Sequence, residues 1–548
     1  MKNVLIAGLL FFSIVGLKAQ QKSEKEPFTR PKLVVGIVVD QMRYDYLVRF
    51  YDKYGDDGFK RMINEGFNCK NNHFNYIPTK TAAGHASVYT GTTPKTHGII
   101  GNDWYDKNED RSVYCTEDET VNSLGTVTDA GKMSPRRMVS STMTDQLKLA
   151  TASQGKVIGV SLKDRGSILP AGHAADGAYW FQGKDEGHWV TSTYYMDALP
   201  NWVEKFNKSD AAEKYKKVWN TLYDIDTYTE SIADNNDFEQ YFKGEEAPVF
   251  PHDLPKLWDD NGKFDLLKGV PFGNSLTVDF AEAAIKGENL GADKITDFIA
   301  ISFSATDYVG HRFGVSAKET EDTYLRLDKD LGRLFTFLDK EVGKGTYTVF
   351  LTSDHAAVEV PSYLEAENIP GGNFSKKEFY TPLNAFLNTK FGSDKLIKNF
   401  SNEQLFLDQE LIKKLGLTSE EVENAIVGEV KNYKNVAEAY TGTSMRNQEF
   451  TKGQASRLQM GYNFNRSGDV LLALSPGYIN STSRKGTTHG TGYAYDTHAP
   501  LLFFGQGINH GQTVKRTEIP DIANTICSLL GITFPSGKSG EPIPEVIQ

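Results

Sequence analysis

The chain repeats a pattern that few folds can use: a short, almost unbroken apolar run, rich in β-branched residues, that ends in a charged or metal-liganding side chain. Residues 32–40 (KLVVGIVVD) are the first instance. Residues 156–162 (KVIGVSL) run into Lys163-Asp164-Arg165, residues 297–304 (DFIAISFS) into the stretch holding Asp307 and His311, and residues 347–352 (YTVFLT) into Ser353-Asp354-His355. Continuous apolarity without alternation suits strands covered on both faces, as in a parallel sheet between helices. Residues 468–475 and 500–505 add two candidate strands, and residues 144–151, 275–286, 321–342 and 519–530 carry amphipathic helical patterns. This alternation predicts a doubly wound α/β domain with a mostly parallel sheet flanked by helices. Open sheets of this kind place their ligands beyond the carboxyl ends of the strands. Two regions, about 180–270 and about 360–467, break the alternation and read as insertions forming a cap over that edge.

At 548 residues and 39% hydrophobic, the chain is long enough for one large domain with insertions. Its first residues, Met1-Lys2, an apolar stretch over 4–17, then Lys18-Ala19-Gln20, have the order of a secretory signal peptide over 1–19, with cleavage after Ala19. The apolar stretch is short of the roughly 18 residues that span a bilayer. The mature chain, 20–548, is therefore expected to be exported, periplasmic or secreted, without stable membrane insertion. Losing residues 1–19 removes Lys2 and Lys18 and no acid, leaving 58 basic against 71 acidic residues, a net charge of −13. That balance disfavours nucleic acid as a partner. An anionic substrate must then be drawn by charge concentrated at one site, and metal ions supply it economically. Cys69, Cys115 and Cys527 are too few for a disulfide scaffold or a Cys-rich zinc site. A Cys69–Cys115 bridge and three free thiols both stay open.

Within residues 74–104 (FNYIPTKTAAGHASVYTGTTPKTHGIIGNDW), Thr81 follows a stretch that Pro78 holds extended and precedes the first turns of a helix. At a helix N-terminus the free N–H groups and the dipole favour a phosphate or a deprotonated hydroxyl. A plain N-cap is the other role open to Thr there. Asp40, Asp307, His311, Asp354, His355 and His489 offer the carboxylate and imidazole donors that Zn²⁺ accepts when no thiolate is available. Six such groups make two three-ligand sites. Each alone could equally be a helix cap or a structural histidine. Asp307 and His311, four apart, share one face if their strand exit turns helical. Adjacent Asp354 and His355 converge only from an irregular turn. His85 and His97 are expected to brace the Thr81 helix, His173, His188, His252 and His510 to lie in loops, and His498 to stand behind the ligands.

PTKTAAGHASVYTG with THGIIGNDW, the Asp40 strand, DYVGH, SDH and THG, in this order, resemble the alkaline phosphatase superfamily. Its branch of nucleotide pyrophosphatase/phosphodiesterases shares several of these elements, and the match is closer to phosphate-irrepressible alkaline phosphatases of the PafA type. The resemblance runs from RPKLVVGIVVDQM to FPSGKSGEPIPEVI. It implies Thr81 as nucleophile, one Zn²⁺ on Asp307, His311 and His489, and a second on Asp40, Asp354 and His355 that the Thr81 hydroxyl also joins. It further implies Asn102 as a donor to a phosphoryl oxygen, and Lys163 and Arg165 as cations for the remaining oxygens.

A Thr hydroxyl needs activation, and two metals can clamp the attacking and leaving oxygens of an in-line displacement. A covalent phosphothreonine, later hydrolysed, follows from that chemistry. Two cations beside the phosphoryl group suit the extra negative oxygen of a monoester, which makes small phosphate monoesters the expected substrates. A phosphodiesterase or nucleotide pyrophosphatase is the alternative enzyme, and a non-catalytic binder of phosphate compounds the alternative of another class. Sulfatases of the superfamily use a modified Cys or Ser in a C/S-x-P-x-R context, whereas Ala82-Ala83 follow Thr81 here. Other divalent ions remain possible in place of zinc, and a monomer is favoured.

Overall fold

A computed structural model describes residues 29–548, so the expected leader over 1–19 lies outside the described residues. The strand Leu33–Val39 occupies the middle of a ten-stranded sheet. It pairs in parallel with Asp297–Phe303 on one side and Tyr347–Thr352 on the other, and Val157–Ser161 pairs in parallel with Asp297–Phe303. Leu501–Gly505 adds an antiparallel neighbour to Tyr347–Thr352. Beyond it lie Phe67–His73 and Gly511–Glu518, and the far edge is Gly177–Gln182, His188–Ser192 and Ser123–Leu124. The sheet is therefore parallel at its centre and mixed toward its edges.

Alternate residues of the central strand feed two separate cores. Leu33, Val35, Ile37 and Val39 pack on one face with the helices Phe272–Glu288 and Lys318–Leu338. Val34 and Val38 pack on the other with Thr81–Thr90 and Asp521–Leu530. Both faces are dry, which explains the unbroken apolar runs. Register then fixes where the strands end: Val38 pairs with both Ser302 and Thr352, and Ser302 also pairs with Ser161. Residues just past these positions emerge side by side at one edge.

The two irregular regions differ in kind. The first begins with Gly177–Gln182 and His188–Ser192, which extend the main sheet, so His188 lies in a strand and not in a loop. Short helices and loops follow and pack against the helices Ala305–Phe313 and Lys318–Leu338. In this part His252 is buried, its Nδ1 2.7 Å from Glu245 Oε1 and its Nε2 3.2 Å from Glu319 Oε1. The second region is a small module with its own four-stranded sheet, ordered Ile397–Ser401, Gln404–Leu407, Val470–Leu474, Val436–Thr441, and its own core around Phe379, Leu383 and Ile426. Gly372–Asn373 pairs in parallel with Tyr478–Ile479 and closes its neck. The strand at 470–474 thus belongs to the module, not to the main sheet. Its two-sided apolarity has a separate cause: Val470, Leu472 and Leu474 face the module's core, while Leu471 and Ala473 pack beside Ile77 of the main domain. All three cysteines are free and buried, which excludes the Cys69–Cys115 bridge.

Candidate active site

Asp40 directly follows its strand and is pinned by its backbone, its N–H donating to Phe303 O (3.1 Å) and its carbonyl accepting from Thr306 Oγ1 (2.6 Å). Asp307 and His311 share a face of the helix Ala305–Phe313, with His311 Nε2 3.2 Å from Asp307 Oδ1. Asp354 and His355 lie in the irregular stretch after Tyr347–Thr352, where the Ser353 hydroxyl donates to His355 O and accepts from Met42 N–H. His489 arrives on the Gly-rich loop and stacks on His355, ring centroids 3.4 Å apart.

The three histidines are arranged alike. Nδ1 of His311, His355 and His489 faces a backbone carbonyl, of Thr487 (2.7 Å), Ala356 (3.1 Å) and Thr79 (2.6 Å) respectively. The proton therefore belongs on Nδ1, and each Nε2 turns a lone pair toward carboxylate oxygens. Burial favours the neutral form of His355 and His489, pushing the first down to about 4 and the second well below its ordinary value.

Two groups of ligand atoms lie within 4.8 Å of one another: Asp307, His311 and His489 form one, and Asp40, Asp307 and His355 the other. The first is the expected trio. In the second Asp307 stands where Asp354 was expected; Asp354 Oδ2 lies 3.6 Å from His355 Nε2 and 3.3 Å from His85 Nδ1. Buried lone pairs facing buried carboxylates are unfavourable unless a cation lies between them. Asp40 Oδ1 and Asp354 Oδ2 are moreover buried without a hydrogen-bond partner. Burial, together with the Asp307 and Asp354 carboxylates, pushes Asp40 well above the usual carboxylate range. The donor set and its orphaned oxygens fit divalent cations.

One cation of the chain's own is already there. Lys163, the residue preceding the helix Asp164–Ala171, is buried with Nζ 2.6 Å from both Asp40 Oδ2 and Asp307 Oδ2, and 4.8 Å from the centroid of the Tyr308 ring. Burial opposes its charge, but the two carboxylates outweigh burial and raise its pKa. Arg165 Nη1 donates to Tyr114 Oη (2.8 Å), which donates to Asp164 Oδ1 (2.8 Å), while Arg165 Nε is buried without a partner.

Thr81 is the first residue of its helix and is buried, its Oγ1 3.4 Å from His355 Nε2. Asn102 Oδ1 accepts from Ala82 N–H (2.9 Å), which ties it to the same helix end and leaves its amide nitrogen as the donor. His85 and His97 brace the helix as expected, His85 through Thr81 O and Ser302 Oγ (both 2.9 Å), His97 through Ser87 Oγ (2.9 Å). Gly84 permits the approach: a Cβ there would stand 2.1 Å from Asp354 O. His498 touches none of the six ligands and stacks between Tyr44 and His73.

Gln41 and Tyr114 were not legible as site residues. Gln41 has φ of +63°, and its N–H donates to Asp354 Oδ1 (3.1 Å) and its Nε2 to Asp307 Oδ1 (2.8 Å). It orients two ligands from the position after a third, and its place next to Asp40 was the only signal. Tyr114 belongs to a surface hairpin, Asp103–Asp106 with Arg111–Tyr114, and nothing local marks it.

Residues 34–498 match the model of the type I phosphodiesterase / nucleotide pyrophosphatase family. Alkaline phosphatase PafA of Elizabethkingia meningoseptica is 47% identical, over 99% of this chain and 98% of its own. A protein of Myroides odoratus named calcium-transporting ATPase is 45% identical, over 100% of this chain and 99% of its own. The crystal structure of wild-type alkaline phosphatase PafA superposes with a TM-score of 0.92 at 47% identity, covering 95% of this chain and all of that one.

Proposed function

For a chain that belongs to the type I phosphodiesterase / nucleotide pyrophosphatase family, and within it to the PafA-type alkaline phosphatases, we propose an exported, metal-dependent phosphomonoesterase that works through a phosphothreonine on Thr81. The observation that carries this reading is the meeting, at one sheet edge, of a buried helix-N-terminal Thr81, two ligand trios and the cations Lys163 and Arg165. Divalent ions held by Asp307, His311 and His489 and by Asp40, His355 and Asp307 or Asp354, zinc being favoured by the N/O donors, would lower the pKa of the Thr81 hydroxyl and offset charge on the leaving oxygen.

The chain's own groups do the rest. Thr81 Oγ1 attacks phosphorus in line at the positive end of its helix dipole, which favours the phosphoryl anion. The Asn102 amide nitrogen, Lys163 and Arg165 then meet the spread negative charge of the transition state. Asp40 and Asp307, the partners of Lys163, are the carboxylates that metal ions would claim, so its ammonium is the one that turns to the phosphoryl dianion. The ATP in the name of the Myroides odoratus relative fits the same reading, because the terminal phosphoryl group of ATP is singly substituted, as in a monoester.

The test is kcat/KM for p-nitrophenyl phosphate against bis-p-nitrophenyl phosphate, with and without chelator, beside a Lys163→Ala/Arg165→Ala double variant. A monoester preference of several orders of magnitude, abolished by chelator and reduced in the double variant, is the expected result. Equal or reversed preference assigns the protein to the diesterase side of its family.

A further inference from the structure

The helix Ala305–Phe313 presents two adjacent pairs of residues. Asp307 and His311 face the ligand cluster; Tyr308 and Arg312, each one position further on, face about 100° around the helix. There the helix meets the segment Lys263–Gly269, and the two enclose a cavity of about 310 Å³ lined by Phe242, Asn261, Asp265, Lys268, Tyr308 and Arg312. That volume is at the lower end of the range for small-ligand pockets. Tyr308 forms a wall common to the cavity and the catalytic edge, since Lys163 Nζ lies over its ring.

Arg312 is the unusual member. Its guanidinium lies 4.2 Å from the centroid of the Phe242 ring, and Nη1 donates to Tyr241 O (3.1 Å). Nε is buried without a partner, and no carboxylate among the described residues forms an ion pair with this side chain. Glu245, the acid with an electrostatic influence on it, is engaged elsewhere, Oε1 with His252 and Oε2 with the Phe242 N–H. Asp265, the one acid lining the cavity, is paired with Lys268 at 2.7 Å. The cavity therefore carries one uncompensated positive charge in a chain whose net charge is −11. A part-buried guanidinium without a counter-ion is costly and is satisfied by an anion held in its fork.

We propose that this cavity receives the leaving group of the ester, and that Arg312 binds a second anionic group, a carboxylate or a further phosphate, carried by it. This rests on the phosphomonoesterase reading and adds a substrate class: monoesters that bear a second negative charge away from the reacting phosphoryl group. The direction is consistent with the chemistry, because Asp307 and His311 of the same helix belong to the trio expected to stabilise the departing oxygen.

The experiment measures kcat/KM of the metal-loaded enzyme on phenyl phosphate, 4-carboxyphenyl phosphate and 1,4-phenylene bisphosphate at low salt, for the wild type, Arg312→Gln and Arg312→Lys. The readout is the ratio of each charged probe to phenyl phosphate. In Arg312→Gln that ratio should fall at least about fivefold for one or both charged probes, and Arg312→Lys should recover part of it. A loss confined to one probe identifies the anion as carboxylate or phosphate. Equal loss on all three probes, or a ratio that moves by less, overturns the proposal, and equal loss is also what a merely structural effect through neighbouring His311 would give. Failure of the wild type to hydrolyse phenyl phosphate is a different result, which removes the phosphomonoesterase reading itself.

Discussion

The Thr81 hydroxyl can be removed without disturbing much else. Ala is a good helix former, the Thr81 side chain has one polar contact, 3.4 Å to His355 Nε2, and each trio keeps its three residues without it. Thr81→Ala should therefore keep its metal content by elemental analysis and its thermal midpoint, yet lose at least about a thousandfold in kcat. Retention of a tenth or more of the wild-type rate would remove Thr81 from the nucleophile role. Five of the six candidate ligands were legible as ligand-type residues at a strand exit, where the fold class itself predicts a site, and His489 as one on a Gly-rich loop. What orients them was not. The backbone of Gln41 turns left-handed directly after Asp40, and no residue type announces that conformation outside glycine and asparagine. Asp307 and Asp354 both lie beside His355, and which of them completes its trio with Asp40 is a matter of a few ångströms, finer than any spacing rule.

The helix Ala305–Phe313 holds its ligands against the central strand through one close approach. A Cβ on Gly310 would stand 2.0 Å from Gln41 Oε1. Gly310→Ala must push the Gln41 side chain away, and its 2.8 Å bond to Asp307 with it. Gln41→Ala removes the same bond from the other side. Each change should lower metal affinity or kcat/KM by about 10–100-fold, the usual loss when a group orienting a ligand is removed. The Gly310→Ala/Gln41→Ala double variant should be no worse than the poorer single one, since both act through one contact. Additive losses in kcat/KM would show that the helix itself had moved. The helix was predictable as an element, with Asp307 and His311 on one face; the glycine contact was not, because it depends on how near the helix lies to the sheet. At the same scale the strand 470–474 shows where apolar pattern misleads, its two covered faces belonging to two different bodies.

Across the whole molecule, a buried acidic cluster ties the first insertion to the helix Lys318–Leu338. Glu239 and Glu319 are buried together beside His252, and burial with the Glu319 charge pushes Glu239 up to about 10. His252 is pushed up to about 9: burial opposes its charge, and Glu245 and Glu319 outweigh that. Both raised values mean that the folded chain holds protons the unfolded chain has released, so stability falls as pH rises. For His252 the contribution is complete below the unfolded value of about 6.5 and is lost as pH rises through about 9. The urea midpoint should therefore decline between these two pH values, and less steeply in Glu239→Gln, which mimics the protonated acid. Parallel pH profiles for the two proteins would show that the cluster does not govern alkaline stability. A doubly wound architecture could be read from strand grammar alone, whereas this cluster could not, its members being scattered through a region without periodicity. The module behind the neck at Gly372–Asn373 and Tyr478–Ile479 has a temporal consequence. His355 and His489, stacked on one another, are 134 residues apart in sequence. Bringing the ends of so long a flexible loop together costs about 4 kcal/mol in the unfolded chain. Pairing at the neck bridges most of that length, so a module already folded should lower the cost of bringing the two imidazoles together. The neck should then govern how fast His489 joins His355 on refolding, a rate that would report on the module and not on the main sheet.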